Sequence, residues 1–84
     1  EQEAFVEANF DALQQDIAAG GGPHLDALVE LMGCEGVGDD INTVAQSRYE
    51  TLFSSENTTP FAALYGLKGE MSMNEDIVLA CTRL

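Results

Sequence analysis

Apolar residues recur at helical spacing through the first part of the chain. Members of the first stripe are separated by three or four positions, a spacing that keeps their side chains on one face of a helix. They are Val6, Phe10, Leu13 and Ile17. The positions between them carry mainly acidic and amide side chains, which favour solvent. This pattern predicts an amphipathic helix that ends near Ala19.

Three glycines and a proline separate this helix from a second one. Residues 20–22 would lose too much backbone entropy to continue a helix, and Pro23 suits the first turn of the next one. The second stripe has the same spacing and consists of Leu25, Leu28, Val29 and Met32. Gly33 is the expected C-terminal cap. Because the connection is short, we predict an antiparallel helical hairpin over residues 5–34.

Three more helices are predicted downstream of the hairpin, each with its own start signal. An aspartate at position 39 or 40 caps the third, Thr59-Pro60 begins the fourth, and Ser72 opens a capping box for the fifth. The third helix is predicted to end near Phe53, and the fourth to run from Pro60 to about Lys68. The fifth follows the capping box and carries on one side Ile77, Val78, Cys81 and Leu84. The run 77–81 is also compatible with a strand, but no second strand is available to pair with it.

These patterns together predict an all-α fold of four or five short helices in a single domain spanning residues 1–84. Gly66 and Gly69 predict that the fourth helix is short and weak. A core of this size is marginal, so a covalent staple or an oligomeric interface is expected to support it.

The two cysteines, Cys34 and Cys81, lie 47 positions apart. They form no CxxC motif and have no histidine nearby, so zinc binding and thioredoxin-type chemistry do not fit. A disulfide between them would tie the last helix to the hairpin and stabilise the fold by roughly 4 kcal/mol on the loop-entropy model. It would also indicate an oxidising compartment. The alternative is a pair of buried free thiols in a cytosolic protein.

The charge of the chain is strongly one-sided. Three basic side chains stand against fifteen acidic ones, which gives a net charge of −12. The chain is not expected to bind nucleic acid, because the phosphate backbone would be repelled, and an anionic membrane surface is disfavoured for the same reason. No apolar run is long enough to form a membrane span. A cationic protein partner, a bound cation or solubility alone are compatible with the charge.

The sequence assembles no recognisable catalytic or metal-binding set. His24 is the only histidine and has no identifiable nucleophile to activate, so we interpret it as a first-turn helix residue. The acids around position 39 lack the spacing of an EF-hand calcium loop. We therefore expect no catalytic, cofactor-binding or metal-binding residues and no enzymatic activity. The candidate surface site is an apolar groove on the fourth helix formed by Phe61, Leu64 and Tyr65.

Part of the chain resembles a known family. The residues that carry the resemblance are Asn9 to Leu13, Asp16 to Ala18 with the glycines up to Gly22, Leu25 to Leu28, Leu31, Gly33-Cys34 and, more weakly, Tyr49 to Ser54. Over about residues 5–55 the chain is similar to an uncharacterised family of bacterial exported proteins, a domain of unknown function. The resemblance implies an exported, periplasmic helical protein with no assigned activity, and it carries over no functional residues.

These observations predict a small exported acidic binding protein, located in the periplasm or secreted. It would act as an inhibitor, immunity or stress-response factor against a cationic protein partner. The alternative is a carrier of a small apolar ligand held between helices. A homodimer is also expected if the fourth helix leaves an apolar stripe uncovered. The chain begins at Glu1 rather than at a methionine, which predicts a processed or trimmed chain.

Overall fold

A computed structural model describes residues 1–84 and contains seven α-helices. The first three are α1 (Gln2–Ala8), α2 (Phe10–Ala19) and α3 (Pro23–Leu31). The other four are α4 (Gly38–Ser47), α5 (Tyr49–Leu52), α6 (Pro60–Met71) and α7 (Glu75–Ala80). The all-α fold is confirmed, and the number of helices exceeds the predicted four or five because two predicted helices are each divided in two.

The first division falls at Asn9, between α1 and α2. Asn9 leaves the helical region with φ −123° and ψ 27°, and its side-chain amide donates to the carbonyl of Phe5 at 3.0 Å. Asparagine side chains compete in this way with the backbone bonds that continue a helix. The second division falls at Arg48, with φ −110° and ψ 16°, between α4 and α5. The apolar stripes continue across both breaks, so periodicity alone did not reveal them.

Two helices of the predicted hairpin end in the same glycine-dependent turn. At the end of α2, Gly20 has φ +87°, and the amides of Gly20 and Gly21 donate to the carbonyls of Ile17 and Asp16. At the end of α3, Gly33 has φ +69°, and the amides of residues 33 and 34 donate to the carbonyls of residues 30 and 29. These are Schellman closures, which need a left-handed residue that glycine adopts without strain. The predicted stop at Ala19 and the cap at Gly33 are thereby explained.

One continuous core contains residues from all seven helices and from the segment between α3 and α4. It contains the predicted stripes of the hairpin and the inward faces of α4 to α7. Its fourteen buried members are Val6, Leu13, Ile17, Leu25, Leu28, Met32, Val37, Ile41, Ala45, Leu52, Leu64, Leu67, Met71 and Ile77. Three aromatic side chains pack against the core and are partly buried, namely Phe10, Tyr49 and Phe53. The ring centroid of Phe53 lies 5.8 Å from that of Phe10 and 5.0 Å from that of Tyr49.

Helix α6, which corresponds to the predicted fourth helix, is longer than predicted. The Thr59 hydroxyl caps it, as predicted, by accepting from the amide of Ala62 at 3.1 Å. The helix then continues through Gly66 and Gly69 to Met71 instead of ending near Lys68. A Cβ at position 66 would lie 3.1 Å from the Leu52 side chain, so the glycine lets α5 approach α6 closely. Tertiary packing therefore outweighs the low helix propensity of glycine here.

Helix α7, which corresponds to the predicted fifth helix, is shorter than predicted and has a different N-terminal cap. The Asn74 side chain, rather than Ser72, accepts from the amide of Ile77 at 3.2 Å. The helix ends at Ala80, because Cys81 is extended and forms an isolated antiparallel bridge with Cys34. The predicted disulfide between these two cysteines is confirmed, and neither cysteine is free.

Both chain ends meet at the C-terminal end of α3. The amides of Thr82 and Arg83 donate to the carbonyls of Gly33 and Met32 at 3.1 and 2.8 Å. From the other end of the chain, the Gln2 side-chain amide donates to the carbonyl of Arg83 at 2.8 Å. The tail after the disulfide is therefore held to the hairpin by backbone bonds as well as by sulfur. None of the seven helices combines the length and the apolarity that crossing a bilayer requires.

Candidate interaction surface

His24 and Asp16 lie together at the glycine turn. One oxygen of the Asp16 carboxylate accepts from the backbone amides of His24 and Leu25 at 2.7 and 3.1 Å. The imidazole Nδ1 lies 3.7 Å from the same oxygen. Asp16 thus caps α3 from the neighbouring helix, where a negative charge also stabilises the positive end of the helix dipole. The interpretation of His24 as a first-turn residue agrees with this geometry.

All three basic side chains make contacts within the fold. Arg48 forms an ion pair with Glu70, with 3.2 Å between Nε and Oε1. Arg83 donates from its guanidinium to the carbonyls of Leu31 and Glu30, at 3.0 and 3.4 Å, and so satisfies the open C-terminus of α3. The third, the ammonium of Lys68, lies 5.6 Å from the centroid of the Tyr65 ring.

The acidic side chains, in contrast, face solvent with few counter-charges. All fifteen except Asp16 and Glu70 are exposed. Glu70 is the one acid that pairs with an arginine or lysine. The negative charge of the chain is therefore distributed over its exterior and is not neutralised by neighbouring side chains.

The structure separates the three residues of the predicted apolar groove. Leu64 points into the core and is 2% exposed, so it cannot line a surface groove. Phe61 and Tyr65 lie one helical turn apart on the outer side of α6 and are exposed. The prediction of a groove shared by all three is therefore wrong for Leu64. The prediction placed Phe61, Leu64 and Tyr65 together, whereas the fold turns only Leu64 of the three into the core.

Tyr65 has a specific partner on α1. Its hydroxyl donates to the carboxylate of Glu3, which links α6 to the first helix. The pKa of the Tyr65 hydroxyl is raised above its ordinary value of 10.0, first by the hydrogen bond to Glu3, then by desolvation, and then by the negative charge of Glu3. Tyr65 is therefore a tethering residue between two helices rather than part of an open apolar surface.

A different apolar surface was missed by the sequence analysis. Met73, Val78 and Leu79 are exposed around α7, and we call them the α7 patch. The prediction places Val78 on the same side of the last helix as Ile77, but only Ile77 of α7 is buried. One sequence signal for this exposed surface was Met73, which belongs to no apolar stripe and is flanked by Ser72 and Asn74.

Three depressions mark the surface, and polar residues dominate the lining of each. The largest, of about 410 Å³, is open to solvent and lies beside Gln46, Tyr49 and Glu50. The second, of about 280 Å³, lies between the loop 54–59 and α6. The third, of about 240 Å³, lies where the chain ends meet Tyr65 and Lys68. No group of three or more His, Cys, Asp and Glu side chains is arranged to hold a metal ion.

The fold defines a small all-α protein that is closed by one disulfide and carries a strongly negative exterior. A family model described as "Protein of unknown function (DUF3015)" matches residues 1–81, and the chain belongs to this family. The predicted resemblance to an uncharacterised family is confirmed and extends over almost the whole chain rather than over residues 5–55. No curated protein and no solved structure matches the chain.

Proposed function

We propose that this chain is a small exported binding protein without enzymatic activity, and that it recognises a cationic protein through its acidic exterior. The observation that carries the proposal is the distribution of charge. Every basic side chain makes a contact within the fold, while thirteen of the fifteen acids, all but Asp16 and Glu70, are exposed. A basic protein is the macromolecule that such a surface attracts most strongly.

The physical advantage of this arrangement is the rate of encounter. A net charge of −12 on a chain with a Cα radius of gyration of 11.3 Å produces a field that reaches well beyond the surface at low ionic strength. Such a field steers an oppositely charged protein and accelerates association. Roles as an inhibitor, an immunity factor or a stress-response factor would all use fast capture of a basic partner.

The disulfide supports a periplasmic or secreted location for this function. Structural disulfides form and persist in oxidising compartments and are rare in the cytosol. Cys34 and Cys81 hold the chain end in place, so the bond is structural in this fold. An exported protein would meet its partner in the same compartment.

The two other expectations gain no specific support from the geometry. The depressions are open and lined mainly by polar residues, which does not favour a carrier of apolar ligands. A homodimer stays a prediction as well, although two copies that each carry a charge of −12 would repel one another.

The proposal can be tested with the oxidised full chain immobilised on beads. The beads are incubated at low ionic strength with the envelope fraction of the native cell, and bound proteins are released by salt and identified by mass spectrometry. We expect at least one specifically retained protein to be basic. If no basic protein is retained at any ionic strength, the proposal is wrong.

The kinetics of the captured partner provide a second measurement. Raising the ionic strength from about 0.01 M to about 0.15 M shortens the Debye length from roughly 30 Å to roughly 8 Å. We expect the association rate to fall by about tenfold or more over this range. A variant in which Glu3, Glu7 and Asp11 are changed to the corresponding amides should associate more slowly at low salt. An association rate that changes neither with ionic strength nor in the amide variant would contradict electrostatic recognition.

A further inference from the structure

Exposed apolar side chains are concentrated at one place on this protein. Five large hydrophobic side chains are exposed, and three of them lie within residues 73–79. Met73 is 81% exposed, Leu79 is 79% exposed and Val78 is 42% exposed. Single exposed apolar residues are normal on protein surfaces, whereas a cluster of them marks an interaction site. The α7 patch is therefore the surface feature that most needs an explanation.

The local structure explains why these side chains are exposed together. Asn74 is the N-cap of α7, so Met73 and Val78 occupy the two positions that pack against each other in a hydrophobic staple. Met73 is nevertheless 81% exposed, so most of its side chain is uncovered at this position. Ile77 anchors the helix in the core, which turns the patch towards solvent.

Carboxylates border the patch at both ends of the helix. Glu75 and Asp76 lie in the first turn of α7. Glu35 lies near the other end, because its backbone amide donates to the carbonyl of Ala80 at 3.3 Å. All three acids are exposed, and no lysine, arginine or histidine occurs between Lys68 and Arg83. An apolar centre with an uncompensated acidic border is complementary to a basic amphipathic segment.

We propose that the α7 patch docks a basic amphipathic segment of the cationic partner. The apolar side of the segment would cover Met73, Val78 and Leu79, while its lysines and arginines would face the acids at the border. This proposal rests on the proposed function and locates its binding site. Methionine suits the role because its flexible, polarisable side chain adapts to the surface that it covers.

Charge also decides between this occupant and the alternatives. A second copy would bring a further charge of −12 and its own acidic border against the patch. An anionic membrane surface would be repelled by the same carboxylates. A basic segment alone buries the apolar side chains and neutralises the acids around them.

The test uses two synthetic peptides of identical composition, each of about 14 leucine and lysine residues, enough for roughly four helical turns. One peptide places leucines and lysines on opposite helix faces, and the other has a scrambled order with no apolar face. Binding of both to the oxidised full chain is measured by fluorescence anisotropy at low salt. We expect the amphipathic peptide to bind at least about tenfold more tightly, which corresponds to about 1.4 kcal/mol.

The variant Met73→Ser/Leu79→Ser should bind the amphipathic peptide about as weakly as the wild-type chain binds the scrambled one. Binding of the scrambled peptide should not change. Phe61→Ser is the matched control, since it removes an exposed apolar side chain on α6, and it should leave both affinities unchanged. Thermal unfolding of each variant verifies that the fold is retained. Glu75→Gln/Asp76→Asn should weaken the binding of both peptides.

The outcomes separate the site from the function. If the wild-type chain prefers the amphipathic peptide but the double serine variant keeps that preference, the site is wrong and the function stands. If the wild-type chain binds both peptides equally, the apolar component is refuted. If neither peptide binds at low salt, the proposed function fails together with the site. Self-association that is abolished by Met73→Ser/Leu79→Ser in analytical ultracentrifugation would overturn the choice of occupant in favour of a second copy.

Discussion

Removal of the disulfide should bring this protein close to the limit of stability. The bond joins Cys34 and Cys81 across a sequence separation of 47 residues, which includes α4 to α7. It holds the extended tail against the end of α3, beside the backbone bonds of Thr82 and Arg83. The perturbation is the double variant Cys34→Ala/Cys81→Ala, which leaves these backbone bonds available in the folded state.

The expected loss follows from the length of the closed loop. On the chain-entropy model, the cross-link destabilises the unfolded state by about 4 kcal/mol for a loop of this length. The total stability of an 84-residue domain is about 4–13 kcal/mol, from roughly 0.05–0.15 kcal/mol per residue. The variant should therefore unfold roughly 15–30 °C below the wild type, since 1 kcal/mol corresponds to about 4–8 °C at this size.

Urea denaturation followed by far-UV circular dichroism measures the loss directly. The wild-type chain in reductant is the matched comparison, because it breaks the bond without replacing the side chains, and it should lose about the same free energy as the variant. Breaking the cross-link also lets the unfolded chain expand, so the dependence on urea should steepen. A loss below about 1 kcal/mol in both samples would refute the argument that restriction of the unfolded chain stabilises this fold.

Three further predictions concern single contacts. Asp16→Ala should lower the free energy of unfolding by about 1–2 kcal/mol in urea, because two amides in the first turn of α3 lose their acceptor; an unchanged stability would contradict the capping role. Gly22→Ala should destabilise the fold in thermal unfolding, because its Cβ would overlap the Asp16 carboxylate. The matched change Gly38→Ala meets open space and should be neutral or stabilise by about 0.4–1 kcal/mol. Finally, Glu3→Gln should lower the pKa of Tyr65 towards 10.0 in an absorbance titration of tyrosinate. Because the pKa of Tyr65 is raised in the folded state, the protonated hydroxyl contributes stability that is present below pH 10.0 and is lost as the pH rises through the raised pKa. If the pKa of Tyr65 is the same in the Glu3→Gln variant and in the wild type, Glu3 is not the cause of the shift.

Local signals carried most of the prediction of the fold. The glycine turn after Ala19, the cap at Thr59 and the closure at Gly33 each depend on conformations that a few neighbouring residues decide. The disulfide was predicted because two cysteines at distant positions of a small chain are a common staple. These features needed no knowledge of how the helices pack.

The candidate surface was harder to predict because exposure depends on packing. On α6, Leu64 and Phe61 have similar hydrophobicity, yet the first lies in the core and the second faces solvent. On α7, Val78 was predicted to lie on the same side as Ile77, yet Ile77 is buried and Val78 is exposed. The helix ends early because the bridge to Cys34 extends the backbone at Cys81, and only part of the run 77–81 reaches the core.

Residue types and short-range spacing were enough to predict the all-α class, the main turns, the cross-link and the excess of negative charge. The packing of the helices was needed to show where they break, which basic side chains make contacts within the fold and which apolar side chains are exposed. Those properties depend on contacts between distant segments, such as the tie of Arg83 to α3 and the approach of α5 to α6. A one-dimensional pattern specifies which face of a helix is apolar, but burial is decided by whether another helix covers that face.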